Sequence, residues 1–440
     1  MKELLEKINN REAKVGVIGL GYVGLPLTIE FLKAGFNVCG YDLDGEKVSS
    51  LNEKKFSMDG VQMDVVQRSI DQKQFRASSN IEDLKDLDAI SICVPTPLSK
   101  TRDPDLSYIM SSVNDLAQTL TPPALIVLES TTYPGTTEEI VIPIMDEMDW
   151  NLDEHYYLAF SPERVDPGNT EYGTRNIPKV IGGQTDDSLK LAMAFYKSII
   201  EHIHPVTSTR VAEMTKLLEN TFRMVNVALV NEIAQMWNHM KINVWEVIDA
   251  AATKPFGFMP FYPGPGLGGH CLPVDPIYLS WKARMMDIEA RFIDLAQMVN
   301  TNMPRHVVEI ISDALNRGEK ALLKSKVLVL GITYKKDVAD IREAPSIDII
   351  RLLIRKGAEV SYHDPYVKNV EIEGVDIDEL FVLDSVELDN KTLSMQDAVV
   401  VVTDHSEYDM ESILENVSLM IDTRNATKSV QKNREKIVLL

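Results

Sequence analysis

Cys271 lies in the run Tyr262-Pro263-Gly264-Pro265-Gly266-Leu267-Gly268-Gly269-His270-Cys271-Leu272-Pro273-Val274-Asp275-Pro276, with the carboxylate Asp275 four residues after the thiol. Pro removes backbone donors and Gly removes rigidity, so a run this rich in both reads as neither helix nor strand. The irregular stretch begins near Lys254, and loops of that length inside a compact domain are usually functional. Glycine N–H groups can also face an anion. Two readings of Cys271 stand at this point: a nucleophile, or a buried structural thiol in a Gly-rich turn. A second chemistry-bearing stretch is Gly19-Leu20-Gly21-Tyr22-Val23-Gly24. It follows the apolar strand 14–18 and precedes a helical pattern over 25–33, a second strand at 36–41 and the acid Asp42. Strand, G-x-G-x-x-G, helix, strand and acid in that order form a dinucleotide site. Gly19 makes the tight turn, Gly21 admits the pyrophosphate and Gly24 lets helix pack on strand, while the helix N-terminus faces the phosphates. Asp42 accepts from a ribose 2′-OH and repels a 2′-phosphate, which favours NAD over NADP. The alternative is a Rossmann-like unit that holds no ligand.

The elements that must position these residues alternate in type. Apolar strands at 89–94, 124–128 and 157–160 are followed by Pro95-Thr96-Pro97, by Glu129-Ser130-Thr131 and by Ser161-Pro162-Glu163. Ligands of open α/β sheets sit outside the carboxyl ends of strands, and Thr96, Ser130, Thr131 and Glu163 fall at that edge. Each hydroxyl also reads as a helix cap or turn residue. Stretches 179–182 and 203–206 read as the last strands of this part, and Cys39 and Cys93 as core residues of theirs. Residues 54–74 show no decisive pattern. From 209 to 240 the apolar period becomes helical, longer than a usual globular helix, which suggests a spine or a dimer seam. Glu213, Lys216 and Asn220 share one face of it, as residues three and four apart do, though a solvated polar face gives the same pattern. Helices follow at 244–252 and from 291. A third part repeats the first: strand 326–331, loop, helix 346–355, strand 358–362 and Asp364, with further strands at 398–403 and 419–422. Its loop, Gly331-Ile332-Thr333-Tyr334-Lys335-Lys336-Asp337, lacks G-x-G-x-x-G. His405 and Asp409 follow a strand end and read as exposed loop residues without a role. The expectation is an α/β protein of two Rossmann-like doubly wound domains joined by a central helical region with a long helix. The boundaries are 1–206 for the NAD-binding domain, 207–318 for the central helical domain with the Cys loop, and 319–440 for the second Rossmann-like domain.

Composition narrows the function classes. At 440 residues the chain exceeds one hydrophobic core. Its net charge of −21 argues against nucleic-acid or anionic-membrane binding. Three cysteines make no disulfide framework, which points to a reducing cytoplasm. No apolar run reaches transmembrane length, and residues 1–10 read as a short amphipathic helix rather than a signal peptide. No metal site is expected.

Together these motifs resemble the nucleotide-sugar 6-dehydrogenases, which act on UDP-glucose or UDP-N-acetylhexosamines. The resemblance is carried by residues 15–42, 94–97, 130–137, 161–163, 212–220, 264–275 and 331–346. It is closest to the UDP-N-acetylglucosamine branch, which carries G-L-G-G-H-C-x-P-x-D-P. UDP-glucose enzymes usually have Lys immediately before the loop aspartate, where this chain has Val274. The resemblance implies four-electron, NAD-dependent oxidation of the sugar C6 hydroxyl through a Cys271 thiohemiacetal and thioester, supplying a surface polysaccharide precursor. It implies that Lys216 and Asn220 sit against the C6 oxygen, with Lys216 also favouring the thiolate, and that Asp275, Glu163 and Thr131 manage the proton and the hydrolytic water. Val23, Asp42, Lys47, Thr96, Thr131 and Arg342 are implied as cofactor contacts beside the glycines. Gly268 and Lys335, with Glu163, Lys216 and Asn220, are implied on the UDP-sugar side. It further implies a cytoplasmic homodimer or higher homo-oligomer. UDP-N-acetylmannosamine, UDP-N-acetylgalactosamine and UDP-glucose remain alternative substrates. An ordinary two-electron hydroxy-acid dehydrogenase and a non-catalytic NAD-binding protein are the competing classes.

Overall fold

The apolar runs form strands buried on both faces, as continuous hydrophobicity requires in a mainly parallel sheet. A computed structural model describes residues 1–58, 61–99, 101–166, 171–240, 242–373 and 380–440. The described chain divides into two units, residues 1–219 with 277–288, and residues 220–276 with 289–440.

In the first unit, β1 (Lys14–Ile18), β2 (Asn37–Tyr41), β3 (Phe75–Ser78), β4 (Ala89–Ile92), β5 (Ala124–Leu128), β6 (Tyr156–Phe160), β7 (Lys179–Gly183) and β8 (Ile203–Val206) form one sheet. Its order is β3-β2-β1-β4-β5-β6-β7-β8. The first six strands are parallel; β7 runs antiparallel to β6, and β8 follows β7. Alternate residues feed two cores. Leu125 and Val127 of β5 join Phe31 and Phe195 on one face, and Ile126 and Leu128 join Val113 and Leu116 on the other. The rings of Phe31 and Phe195 stack at 4.4 Å. Burying each such side chain contributes about 1.5–3 kcal/mol. Residues 54–74 contain the helix Met63–Asp71, and residues 59–60 lie outside the described set. The N-terminal helix Lys2–Asn10 is amphipathic and buries Leu4 and Ile8. The late segment 277–288 also belongs to this unit. The Tyr278 hydroxyl donates to the Thr96 carbonyl at 2.8 Å, and Lys282 pairs with Glu139 at 2.7 Å.

In the second unit, β9 (Lys326–Leu330), β10 (Glu359–His363), β13 (Ala398–Val401), β14 (Met420–Asp422) and β15 (Ile437–Leu439) form a parallel sheet of order β10-β9-β13-β14-β15. β11 (Asn369–Glu373) and β12 (Leu380–Asp384) form a separate antiparallel pair. Val327 and Val329 face a core shared with Ile349, Ile350 and Leu353 of the helix Pro345–Arg355. Leu328 and Leu330 face the opposite core. The helical pattern from 291 continues unbroken to Arg317, with Pro304 inside it.

The 32-residue helix Thr209–Met240 is divided between the units after Glu219. The end of the Cys271 loop differs from the sequence reading. Asp275 and Pro276 are not loop residues: they open the helix Asp275–Arg284. Proline is tolerated in a first helical turn because its missing N–H would have no partner there. Among the described residues no helix is long and apolar enough to cross a membrane.

Candidate active site

In the first unit the Gly-rich turn joins β1 to the helix Gly24–Lys33. A Cβ at Gly24 would lie 1.9 Å from the Gly19 carbonyl oxygen, so turn and helix touch because Gly24 has no side chain. At Gly21 an added Cβ meets nothing within 4 Å, which leaves room for a phosphate. The helix begins at Val23 without a side-chain cap, so its first N–H groups suit an anion. Asp42 follows β2 and is fixed against the turn. Its Oδ2 accepts from the Leu20 N–H at 2.8 Å and from Lys47 Nζ at 2.9 Å, and its Oδ1 from the Asp44 N–H at 3.0 Å. An open glycine, an uncapped helix start and a carboxylate at the end of β2 fit NAD. Thr96 is buried just beyond β4.

Glu163 and Thr131 lie beyond β6 and β5. Glu163 Oε1 accepts from the N–H groups of Arg164 at 2.8 Å and Val165 at 2.6 Å. Its Oε2 lies 3.8 Å from Lys179 Nζ. In the sequence Lys179 reads only as the start of a strand. The reversal of β7 explains its place: Phe160 pairs with Gly182, and extending that register by three residues sets Glu163 opposite Lys179. Lys179 bonds Glu129 at 2.7 Å, and the other Glu129 oxygen accepts the Tyr196 hydroxyl at 2.5 Å. All three are buried. Burial disfavours a charge on Lys179, but Glu129 and then Glu163 outweigh it and hold the ammonium above its ordinary value. The signal in the sequence is a lysine opening a wholly apolar strand.

Lys216 is buried on the helix Thr209–Met240. Glu213, on the same face, has a different job. Its Oε1 accepts from the Thr137 N–H at 2.9 Å and hydroxyl at 2.6 Å, and its Oε2 from the Gly135 N–H at 2.5 Å. It thereby anchors the segment that follows Thr131.

In the second unit the Cys loop is pinned along its length. The Gly264 N–H donates to Asn231 Oδ1 at 2.9 Å, and the Asn231 amide donates to Asn300 at 2.9 Å. The Gly269 N–H donates to the Arg342 carbonyl at 2.9 Å. Gly269 has φ +81, and a Cβ there would fall 2.8 Å from the Tyr334 ring, so only glycine fits. Gly268 packs on the same Tyr334. Cys271 is exposed, and its carbonyl accepts the Asp275 N–H at 2.8 Å. Asp275 is buried, and Asn220 Nδ2 donates to its Oδ2 at 2.5 Å. Cys39 and Cys93 are buried as the sequence suggested, and burial pushes both thiols up, which keeps them protonated. Arg342 is exposed and bonds Asp340 through Nε at 3.0 Å and Nη2 at 2.6 Å. Lys335 is half-buried, and its carbonyl accepts the Thr333 hydroxyl at 2.9 Å. The reading of His405 as an exposed loop residue is wrong. It is buried between Asp364 and the loop that carries Lys335.

Gly19, Gly21, Val23, Gly24, Asp42, Lys47, Thr96, Thr131, Glu163 and Lys216 thus belong to the first unit. Asn220, Gly268, Cys271, Asp275, Lys335 and Arg342 belong to the second.

Comparison with known proteins matches three successive family models. They are the NAD binding, central and UDP binding domains of the UDP-glucose/GDP-mannose dehydrogenase family, over residues 13–200, 210–302 and 328–429. A UDP-N-acetyl-D-mannosamine dehydrogenase of Pyrococcus horikoshii is 33% identical, covering 94% of this chain and 96% of that protein. A UDP-N-acetyl-D-glucosamine 6-dehydrogenase of Pseudomonas aeruginosa is 34% identical, covering 81% and 84%. The solved structure of UDP-D-ManNAc dehydrogenase from Pyrococcus horikoshii superposes with a TM-score of 0.86 at 31% identity, covering 97% of this chain and 98% of that one. The two Rossmann-like sheets and the NAD fingerprint are thus found in the setting the motifs implied, and the chain belongs to the UDP-glucose/GDP-mannose dehydrogenase family as an NAD-dependent UDP-sugar dehydrogenase.

Proposed function

We propose that this dehydrogenase oxidises C6 of a UDP-N-acetylhexosamine from alcohol to carboxylate, with UDP-N-acetylglucosamine as substrate, through covalent attachment to Cys271. The observation that carries this reading is the exposed Cys271 thiol, one helical turn before a buried Asp275 that Asn220 holds in place. When bound, NAD supplies the hydride acceptor, two molecules per sugar. The C6 hydroxyl passes its proton to water held by Asp275 and its carbon gives up the first hydride to leave an aldehyde, while the ammonium of Lys216 stabilises the oxygen. The Cys271 thiolate then adds to the aldehyde carbon; a C–S bond forms, and the oxygen takes a proton to give a thiohemiacetal. Loss of a second hydride and that proton leaves a thioester. Asp275, with Glu163 and Thr131, draws a proton from water as it adds to the thioester carbonyl. The C–S bond breaks, and the thiolate and the carboxylate are released. Residues 1–206 hold NAD, 207–318 carry the reactive loop, and 319–440 hold the UDP moiety with Lys335. Arg342 and Gly268 complete the cofactor and sugar sides.

Val274 in the place of the lysine of UDP-glucose enzymes favours a hexosamine. UDP-N-acetylmannosamine is the second reading, favoured by the names of the similar proteins from Pyrococcus horikoshii. A panel of UDP-N-acetylglucosamine, UDP-N-acetylmannosamine, UDP-N-acetylgalactosamine and UDP-glucose, assayed for NADH, separates these. Two NADH per N-acetylhexosamine are expected. One NADH per sugar sinks the four-electron reading, and equal turnover of UDP-glucose sinks the hexosamine reading.

The assembly we propose is a homodimer or higher homo-oligomer. Phe222, Leu229, Met236 and Met240 stand exposed along the long helix, as do Phe292, Leu295 and Met298 on the helix Arg291–Arg317. Exposed apolar faces of this kind mark association surfaces. Sedimentation is expected to show a dimer or larger species, with Leu229→Glu and Met236→Glu together shifting it to monomer. A wild-type monomer at micromolar concentration would contradict this.

A further inference from the structure

Three loops at the carboxyl edge of the second sheet converge on the imidazole of His405. They follow β9, β10 and β13, strands that lie side by side and run parallel. The chain order reverses between β10 and β13 around β9, and such switch points are where open parallel sheets leave a ligand crevice. His405 Nδ1 accepts the backbone N–H of Asp337 at 3.0 Å, so in the neutral ring the proton resides on Nε2. Nε2 lies 3.0 Å from Asp364 Oδ2, to which it donates, and 3.2 Å from the Thr333 hydroxyl. Asp364 is itself fixed: its Oδ2 accepts the Ile332 N–H at 2.7 Å, and its Oδ1 the Tyr366 N–H at 2.8 Å. The rings of Tyr366 and Tyr408 flank the imidazole at 5.0 and 5.6 Å.

The Asp337 clamp is two-sided. Its carboxylate accepts the N–H of Ser406 at 2.7 Å and the Ser406 hydroxyl at 2.6 Å. Asp337 adopts φ 58, a left-handed conformation that Asp tolerates when local hydrogen bonds hold it. Between the two anchors at Thr333 and Asp337 lie Tyr334, on which Gly268 and Gly269 pack, and Lys335. The Tyr334 N–H also reaches the Asp340 carbonyl at 3.0 Å, and the Thr403 hydroxyl donates to the Thr333 carbonyl at 2.5 Å. The buried His405 ring, which comes from outside the loop, adds a contact at each of its ends, Thr333 and Asp337.

We propose that His405 is a positioning residue for nucleotide-sugar binding: through its Nδ1 acceptor it holds the 333–337 loop, and with it Lys335, in the binding conformation. The mechanism is loss of alternatives. A loop without this anchor samples several conformations, and a ligand that needs one of them binds more weakly by the fraction of time the loop spends there. The inference rests on the reading that residues 319–440 hold the UDP moiety.

Two amides separate the roles of the two ring nitrogens. The amide of asparagine reaches the position of Nδ1, and that of glutamine reaches the position of Nε2. His405→Asn can keep the acceptor for the Asp337 N–H; His405→Gln keeps the donor to Asp364 and loses the loop contact. Calorimetric titration with UDP and steady-state kinetics with UDP-sugar and NAD provide the readout. His405→Gln is expected to weaken UDP and raise the UDP-sugar KM about tenfold, the equivalent of one buried hydrogen bond, and His405→Asn less than about threefold. The KM for NAD and kcat should hold in both. Asp337→Gly tolerates the left-handed backbone and removes the clamp to Ser406 at an exposed position; it is expected to weaken UDP about fivefold by freeing the same loop. Unchanged UDP affinity in His405→Gln and Asp337→Gly, equal losses in the two amide variants, or an effect confined to kcat overturns the proposal. A wild-type protein that fails to bind UDP overturns instead the assignment of UDP to this part of the chain.

Discussion

Cys271→Ser is expected to lose turnover by about 10³-fold or more, because a serine hydroxyl stays protonated where a cysteine is partly thiolate. The comparison with Cys271→Ala is what gives the result its meaning. Alanine removes the nucleophile without blocking the first oxidation, so a single turnover should release at most one NADH per site and leave the sugar aldehyde. Serine can still add slowly to that aldehyde and be oxidised to an ester, which hydrolyses far more slowly than a thioester. Its expected signature is a stalled adduct, seen in intact-protein mass spectra as the mass of the UDP-uronosyl group. Rapid-quench counting of NADH against active sites checks both. A Cys271→Ala enzyme that produces two NADH per sugar at the wild-type rate would falsify the covalent route. Neither Cys39 nor Cys93 can substitute, since both thiols are buried and held protonated.

Lys179→Met is expected to destabilise the first unit by about 3–5 kcal/mol, the usual consequence of leaving a buried charge without its partner. The partner left behind is Glu129, whose carboxylate is 1% exposed and keeps only the Tyr196 hydroxyl from the network. Methionine fills nearly the same volume, so packing contributes little to the change. A double variant, Lys179→Met with Glu129→Gln, removes the stranded charge and should recover most of the loss. Urea midpoints of the two proteins decide the matter. Equal stability of Lys179→Met and wild type, or a double variant no better than the single, would show that the pair is not what holds this edge of the sheet. The same single variant removes the cation 3.8 Å from Glu163, so a fall in kcat beyond the loss of folded protein is also expected.

Much of this architecture is legible residue by residue. Five- and six-residue apolar runs ending at Thr, Asp or Gly dictate strands, and Gly19, Gly21, Gly24 and Asp42 specify the cofactor turn because their order and spacing after a strand match what a bound dinucleotide requires. What stays hidden has a common physical cause. Strand direction leaves no mark in an apolar run, so nothing in Lys179-Val180-Ile181-Gly182-Gly183 announces that β7 reverses. A buried ion's partner is set by topology: Lys179 and Glu129 are 50 positions apart, and His405 meets Thr333 across 72. A histidine whose partners are that distant looks like any loop histidine. Asp275-Pro276 reads equally as loop or as the first turn of a helix, because proline suits both. Asn231 is one polar residue among many on a long helix, and only the fold reveals that it ties down the Cys271 loop at Gly264.

The late segment 277–288 has a consequence for how this protein can be taken apart. The cofactor-binding unit is assembled from two stretches of chain, and the second supplies Tyr278 beneath Thr96 and Lys282 beside Glu139. A fragment cut after β8 would carry the whole eight-stranded sheet yet leave those two contacts bare. Recombination between relatives, whether by gene conversion or at the bench, meets the same obstacle: a crossover anywhere between the two stretches yields a chimera whose Thr96 and Tyr278 come from different parents. The inheritable module is therefore discontinuous, and the segment 277–288 must be transmitted together with a sheet whose last strand ends some seventy positions earlier.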